Sequence, residues 1–155
     1  MKEEEFRQLC SKKSLDFGKI KLLIQLGIDV NGKDNDRRNA LHLLCRFNSN
    51  EKLIDAIKLF IQLGINVNGR DIRGRNALHL LCAHNSNKKL IDAVKIFIEL
   101  GIDVKTNGDN ADARILLRHN IELHQKKETV DNIIQILDRA HKIQMISREN
   151  LCKIM

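Results

Sequence analysis

Residues 27–63 read GIDVNGKDNDRRNALHLLCRFNSNEKLIDAIKLFIQL, and residues 64–100 read GINVNGRDIRGRNALHLLCAHNSNKKLIDAVKIFIEL. A third copy opens at Gly101 with GIDVK and then diverges. Successive copies start at Gly27, Gly64 and Gly101, a period of 37 residues. A fixed period between 20 and 50 residues is the signature of a solenoid, in which each unit buries its apolar face only against its neighbours. Such a chain presents an extended surface in place of a catalytic pocket, so the functional question is what it holds.

The middle copy predicts two helices. Asn76 is a good N-cap, because its side-chain oxygen can accept from an otherwise unpaired N–H of the first turn. Ala77, Leu78, Leu81 and Cys82 then fall on one helical face. Asn85-Ser86-Asn87 interrupts that short helix. Leu90, Ile91, Val94, Phe97 and Ile98 form the apolar stripe of a longer one, with Lys88, Lys89, Asp92, Lys95 and Glu99 on its other side. Gly101 follows the last periodic residue, where a left-handed glycine ends a helix at little cost. The stretch from Ile65 to Gly74 reads as extended chain with a turn. Each unit is therefore turn, short helix, longer helix, turn.

That order, with these residues, resembles the ankyrin repeat. The family pattern runs Asp-x-x-Gly-x-Thr-Pro-Leu-His and closes its second helix in Leu-Leu-x-x-Gly-Ala-Asp-Val-Asn. Asp71, Gly74, Leu78 and His79 match the first part, and Ile24, Gly27, Asp29, Val30 and Asn31 the second, as do Ile61, Gly64, Val67 and Asn68. Asn76-Ala77 replaces Thr-Pro, Leu81-Cys82 replaces Ala-Ala, and Arg37 stands where the first copy should carry Gly. The unit is about four residues longer than the family's 33; the extra residues are placed around Asn48–Lys52 and Asn85–Lys89. The resemblance implies an all-α helix-turn-helix solenoid of about four stacked units, with extended turns between repeats and an extra C-terminal helix. It makes 1–155 one domain: a cap unit over 1–26, repeats over 27–63 and 64–100, and a degenerate repeat plus helical cap over 101–155. Asn31 and Asn68 stand at the position where ankyrin asparagines can be hydroxylated by a dioxygenase, a position nearly every such repeat shares.

Two good repeats need flanking units, since at least three must stack to be stable. Residues 3–12 predict a first short helix and 15–26 its longer partner, with Glu3 to Glu5 facing solvent. Residues 113–120 predict a degenerate short helix. Val130, Ile133, Ile134 and Leu137 predict a long helix ending at Lys142, followed by a last one over 148–154 capped by Ser147.

Composition narrows the partner. Lys and Arg number 27 against 20 Asp and Glu, giving a net charge of +7, with no Trp or Tyr. Nucleic acid, an anionic surface or an acidic protein are all compatible with that charge. The absence of Trp and Tyr removes the usual stacking platforms for single strands and places nucleic acid second. No apolar run is long enough to span a membrane. Cys10, Cys45, Cys82 and Cys152 all follow Leu and read as small core residues, suiting a reducing, cytoplasmic or nuclear compartment, in the protein's own cell or in a host as an effector.

His42/Cys45 and His79/Cys82 have an i, i+3 spacing that can ligate metal, but four ligands would have to converge from helices about 8–10 Å apart. They read as structural histidines beside core cysteines. Asp34-Asn35-Asp36 lacks the Gly and Glu of a calcium loop. No phosphate loop, nucleophile elbow or metalloprotease motif is present, so neither an enzyme nor a cofactor is expected.

The expected site is a surface. In ankyrin-like stacks the partner lies in the concave face of turn tips and short helices. Carried onto this chain, the resemblance gives Lys33, Asn35, Asp36, Arg38, Arg46 and Phe47, then Arg70, Ile72, Arg73, Arg75, Ala83 and His84, and finally Arg114 and Arg118. This face reads as nearly all basic, whereas the long-helix faces mix signs. The expectation is an adaptor, scaffold or inhibitor gripping an acidic protein segment as a monomer or weak homodimer, and charge reversal at Arg38, Arg70, Arg73 and Arg75 should abolish binding without unfolding. The alternatives are nucleic-acid binding through the same patch and homo-oligomerisation through the C-terminal helices.

Overall fold

The structure, a computed structural model, describes residues 2–48, 52–86, 88–105, 112–120 and 126–154. Within them lie eight helices and no strand. They are α1 (Lys2–Cys10), α2 (Phe17–Gln25), α3 (Ala40–Phe47), α4 (Leu53–Gln62), α5 (Ala77–His84), α6 (Leu90–Glu99), α7 (Ala113–Arg118) and α8 (Lys127–Ile154). The short helices α1, α3, α5 and α7 lie side by side as an inner layer. Each packs on the helix that follows it, and α4, α6 and α8 pack in turn as an outer layer. The helical solenoid expected from the 37-residue period is what forms. No helix among the described residues is long and apolar enough to cross a membrane.

The repeat sequence explains the local structure. Asn39 and Asn76 cap α3 and α5, accepting from the backbone N–H of His42 (3.2 Å) and His79 (3.3 Å). In return Asn39 N–H donates to His42 Nδ1 (3.3 Å), so two orphan donors are met at once. His42 Nε2 also lies 3.1 Å from the Arg75 carbonyl of the next turn. A carbonyl can only accept, so Nε2 carries the proton. His42 thus ties one unit to the next. Ala40 to Cys45 and Ala77 to Cys82 are buried all round, because the inner helices are sandwiched. Phe60 and Phe97 fill the layer between inner and outer helices; each such side chain contributes about 2–3 kcal/mol by burial. Phe6 meets Phe60 edge to face at 6.1 Å and joins the N-terminal unit to this core.

Gly64 ends α4 at φ 77°, with Gly64 N–H donating to the Ile61 carbonyl and Ile65 N–H to the Phe60 carbonyl, a Schellman closure. At the turn tip Gly74 takes φ 73°, and Arg37, its counterpart one period earlier, takes φ 60°. The missing glycine therefore does not change the turn. The arginine adopts the left-handed conformation at a cost of about 1–2 kcal/mol, held there by its neighbours.

A second set of asparagines closes the other end of the inner helices. Asn48 Nδ2 donates to the carbonyls of Lys12 and Lys13 (3.3 and 3.2 Å). Asn85 Nδ2 donates to those of Cys45 and Asn48 (3.3 and 2.6 Å), and Asn120 Nδ2 to those of Cys82 and Asn85 (both 3.0 Å). All three side chains are buried. The ladder satisfies helix-end carbonyls that have no partner within their own helix. On the turn side, Asn31 and Asn68 bridge neighbours in the same way. Asn31 Oδ1 accepts from Asn66 N–H (2.7 Å), and Asn68 Oδ1 from Asp103 N–H (3.0 Å).

Two sequence expectations are corrected. The C-terminal region is one helix of 28 residues, α8, and not a helix to Lys142 followed by one capped at Ser147. Nothing between Lys142 and Arg148 breaks a helix, and Ser147 is tolerated inside it. Gln144 Nε2 donates to the Ile102 carbonyl (2.8 Å) and Arg148 Nη2 to Asp103 (3.0 Å), so α8 continues in order to seal the last turn. Cys152 lies exposed on α8, whereas Cys10, Cys45 and Cys82 are buried free thiols. Burial pushes the Cys10 and Cys82 thiols up to about 12. The extra residues placed between the helices of each repeat fall partly outside the described residues, at 49–51 and 87.

Two outcomes follow from these buried polar groups. Asn85→Ala removes the donor to the carbonyls of Cys45 in α3 and of its C-cap Asn48 and should cost about 2–4 kcal/mol in chemical denaturation. Burial draws His79 from 6.5 to about 4. Between those values the unfolded chain binds a proton that the folded chain refuses, so stability rises with pH across this window and falls on acidification. Urea midpoints should drop from pH 7 to pH 4.5, with a shallower slope in His79→Gln.

Candidate functional site

The turn tips are rigid because each wraps around a carboxylate. Asp71 Oδ1 accepts from the N–H groups of Arg73 and Arg75 (both 2.9 Å), and its Oδ2 accepts from Arg75 Nε and Nη2 (2.9 and 2.8 Å). Asp34 does the same for the N–H groups of Asp36 and Arg38 (3.0 and 2.8 Å) and for Arg38 Nε (2.8 Å). Burial pushes the Asp71 carboxyl up, but the Arg75 guanidinium and the backbone donors outweigh it and hold the group below its ordinary value. The tips are linked by Ile72 N–H donating to the Asp36 carbonyl (2.9 Å).

Between the linked tips and the C-terminal ends of α3 and α5 lies a cleft of about 190 Å³. Asp36, Arg38, Arg46, Asp71, Ile72, Arg73, Arg75 and His84 line it. The structure thus brings together seven residues of the face read from sequence. Phe47 lines a second recess of about 190 Å³ in the neighbouring groove, between α1 and α3, with Gln8, Ser11 and Leu43 among its walls; Arg38 borders both. Lys33, Asn35, Arg70, Arg114 and Arg118 lie outside these two recesses. A wider depression of about 570 Å³ sits over the first inter-helix turn. Its Lys19 is paired with Glu5 at 2.7 Å and its Lys52 stands over the Phe17 ring, so these cations already serve the scaffold.

The expectation of a nearly all-basic face is corrected by its ion pairs. Arg38 holds Asp34 and Asp36, and Arg75 holds Asp71 (each 2.8 Å). Arg70 reaches Asp103 at 2.7 Å, and Arg114 pairs with both Asp112 and Asp138. Reversing Arg38, Arg70 and Arg75 would therefore dismantle the turns and not merely the surface. Asp71 is the cleft wall that the site reading missed; the repeated Asp-x-x-x-Arg of both turns is the signal that could have found it.

Arg46, Arg73 and Arg118 remain, and of these Arg46 and Arg73 line the cleft. Among the described residues neither has a carboxylate within ion-pair reach. Arg46 rests over the Phe47 ring at 5.1 Å. Partial burial, then the nearby charges of Arg38, Arg75 and Arg73, lower its pKa from the ordinary value, with Asp36 opposing. The guanidinium is held in a field that a further anion would relieve. Phe47 is 40% and Ile72 59% exposed beside these charges. Of the inner-helix histidines only His84, at the end of α5, reaches the cleft; His42 is engaged with Asn39 and Arg75, and His79, Cys45 and Cys82 are buried.

A model of ankyrin repeats in three copies matches residues 8–108, roughly two-thirds of the chain. No curated protein matches it. The stacked helix pairs joined through their turns, together with that match, place this chain in the ankyrin-repeat family.

Proposed function

We propose that this protein is a non-enzymatic interaction module, an adaptor, scaffold or inhibitor, that grips an acidic segment of another protein in its concave face. Ankyrin repeats are protein–protein interaction modules in general; the acidic partner is the step beyond. The observation that carries it is the convergence of Arg46 and Arg73, two guanidiniums without a carboxylate of their own among the described residues, on one cleft. Guanidinium forks engage carboxylates in paired, charge-assisted hydrogen bonds. Phe47 and Ile72 add exposed apolar surface at the same place.

Nucleic acid stays second. Most arginines of this face are neutralised within the chain, which leaves too few free cations to track a phosphate backbone. Self-association through α8 has Ile143, Met145, Ile146 and Leu151 exposed in its support, but these four side chains fall short of the roughly 1,200 Å² that a stable interface buries.

The test is affinity capture from nuclease-treated lysate, comparing wild type with R46E/R73E and reading the captured proteins by mass spectrometry. Neither side chain makes a turn-holding bond, and the Arg73 N–H that meets Asp71 survives the substitution, so the melting temperature should be unchanged. An acidic protein should be retained by wild type and lost by at least about tenfold in the variant, as expected for two charge-assisted contacts. Identical captures would reject the proposal.

A further inference from the structure

Resting on that reading, we infer that the partner segment is an extended, polyproline-II-like stretch carrying a carboxylate and a large apolar side chain three residues apart. The carboxylate enters the Arg46/Arg73 cleft and the apolar side chain covers Phe47.

The two recesses lie in successive grooves of the inner layer, one between α1 and α3 and the other between α3 and α5. Their offset is therefore one inter-helix spacing, about 8–10 Å. A polyproline-II chain advances about 3.1 Å per residue and returns to the same side every third residue, so positions i and i+3 are about 9.3 Å apart and face the same way. A β-strand gives about 6.8 Å at i+2 and about 13.6 Å at i+4 on one side, and neither matches. An α-helix has a same-side position near this spacing only at i+7, about 10.5 Å, beyond the offset of about 8–10 Å.

The chemistry of the two ends differs. The α3/α5 recess holds Arg46 and Arg73, which have no carboxylate within ion-pair reach among the described residues. In the α1/α3 recess the charges are already matched within the chain, Arg7 with Glu4 at 3.0 Å and Arg38 with Asp34 at 2.8 Å. What that recess offers a ligand is the half-exposed Phe47 ring, stiffened by the Arg46 guanidinium above it. A charge belongs at one end and an apolar group at the other.

The experiment uses the full chain, fluorescently labelled, on arrays of otherwise degenerate peptides that fix one Glu and one Leu at separations of one to seven, in both orders, beside Glu-only and Leu-only arrays. Retention should peak at a separation of three in one order, about tenfold above the other spacings. R46Q/R73Q should abolish the Glu requirement's benefit, and F47S that of the Leu. Equal retention of Glu-only peptides, or a flat spacing profile, would overturn the two-point inference while leaving the acidic-segment reading standing. A peak at seven would replace the extended ligand with a helix. Failure of every Glu-bearing peptide to bind would overturn both.

Discussion

A single unit of this chain cannot satisfy the ends of its own short helix, and the stack exists because the next unit can. Asn85 illustrates the constraint: one buried amide donates to the Cys45 and Asn48 carbonyls of the unit before it, and its own carbonyl accepts from Asn120 of the unit after. Left unpaired in the core, such carbonyls would each cost about 1–3 kcal/mol. The ladder therefore fixes where one inner helix lies against the next. With Asn39 and Asn76 reaching the following turns from the opposite end, both edges of the inner layer are pinned. The spacing between recesses on the concave face is set by these bonds.

That pinning divides the arginines. Arg38 and Arg75 sit four residues after an aspartate in the same turn and are spent on it; Arg70 closes on Asp103 of the next turn, where Arg148 of α8 meets it. Arg46 leaves the end of α3, and Arg73 occupies a tip position whose counterpart one period earlier is Asp36. Among the described residues neither place offers a carboxylate within ion-pair reach. A formal charge of +7 overstates what the concave face presents, because charge in a repeat protein is consumed first by turn geometry.

Much of this was legible in the sequence and some was not. The period, the Asn caps and the terminating glycines are local signals, and they led directly to the paired helices. The concave residues could be named from the resemblance because register carries them. Their availability could not, because the Arg70 partner lies 33 residues away, and the Asp34 and Asp71 wraps require a turn conformation that spacing alone does not announce. Arg37 shows the same limit from the other side: it breaks the glycine pattern, yet the turn forms around it at φ 60°. The continuity of α8 was missed because Ser147 carries a capping propensity that tertiary bonds from Gln144 and Arg148 override.

The central claim is that some arginines of this face build it while others are left to bind. The direct measurement is the unfolding free energy of R75Q beside that of R73Q, taken by chemical denaturation at neutral pH. The account predicts a loss of about 1–3 kcal/mol for R75Q, which leaves the buried Asp71 short of its partner, and a change within about 0.5 kcal/mol for the exposed R73Q. Equal losses in the two variants, or full stability in R75Q, would contradict it.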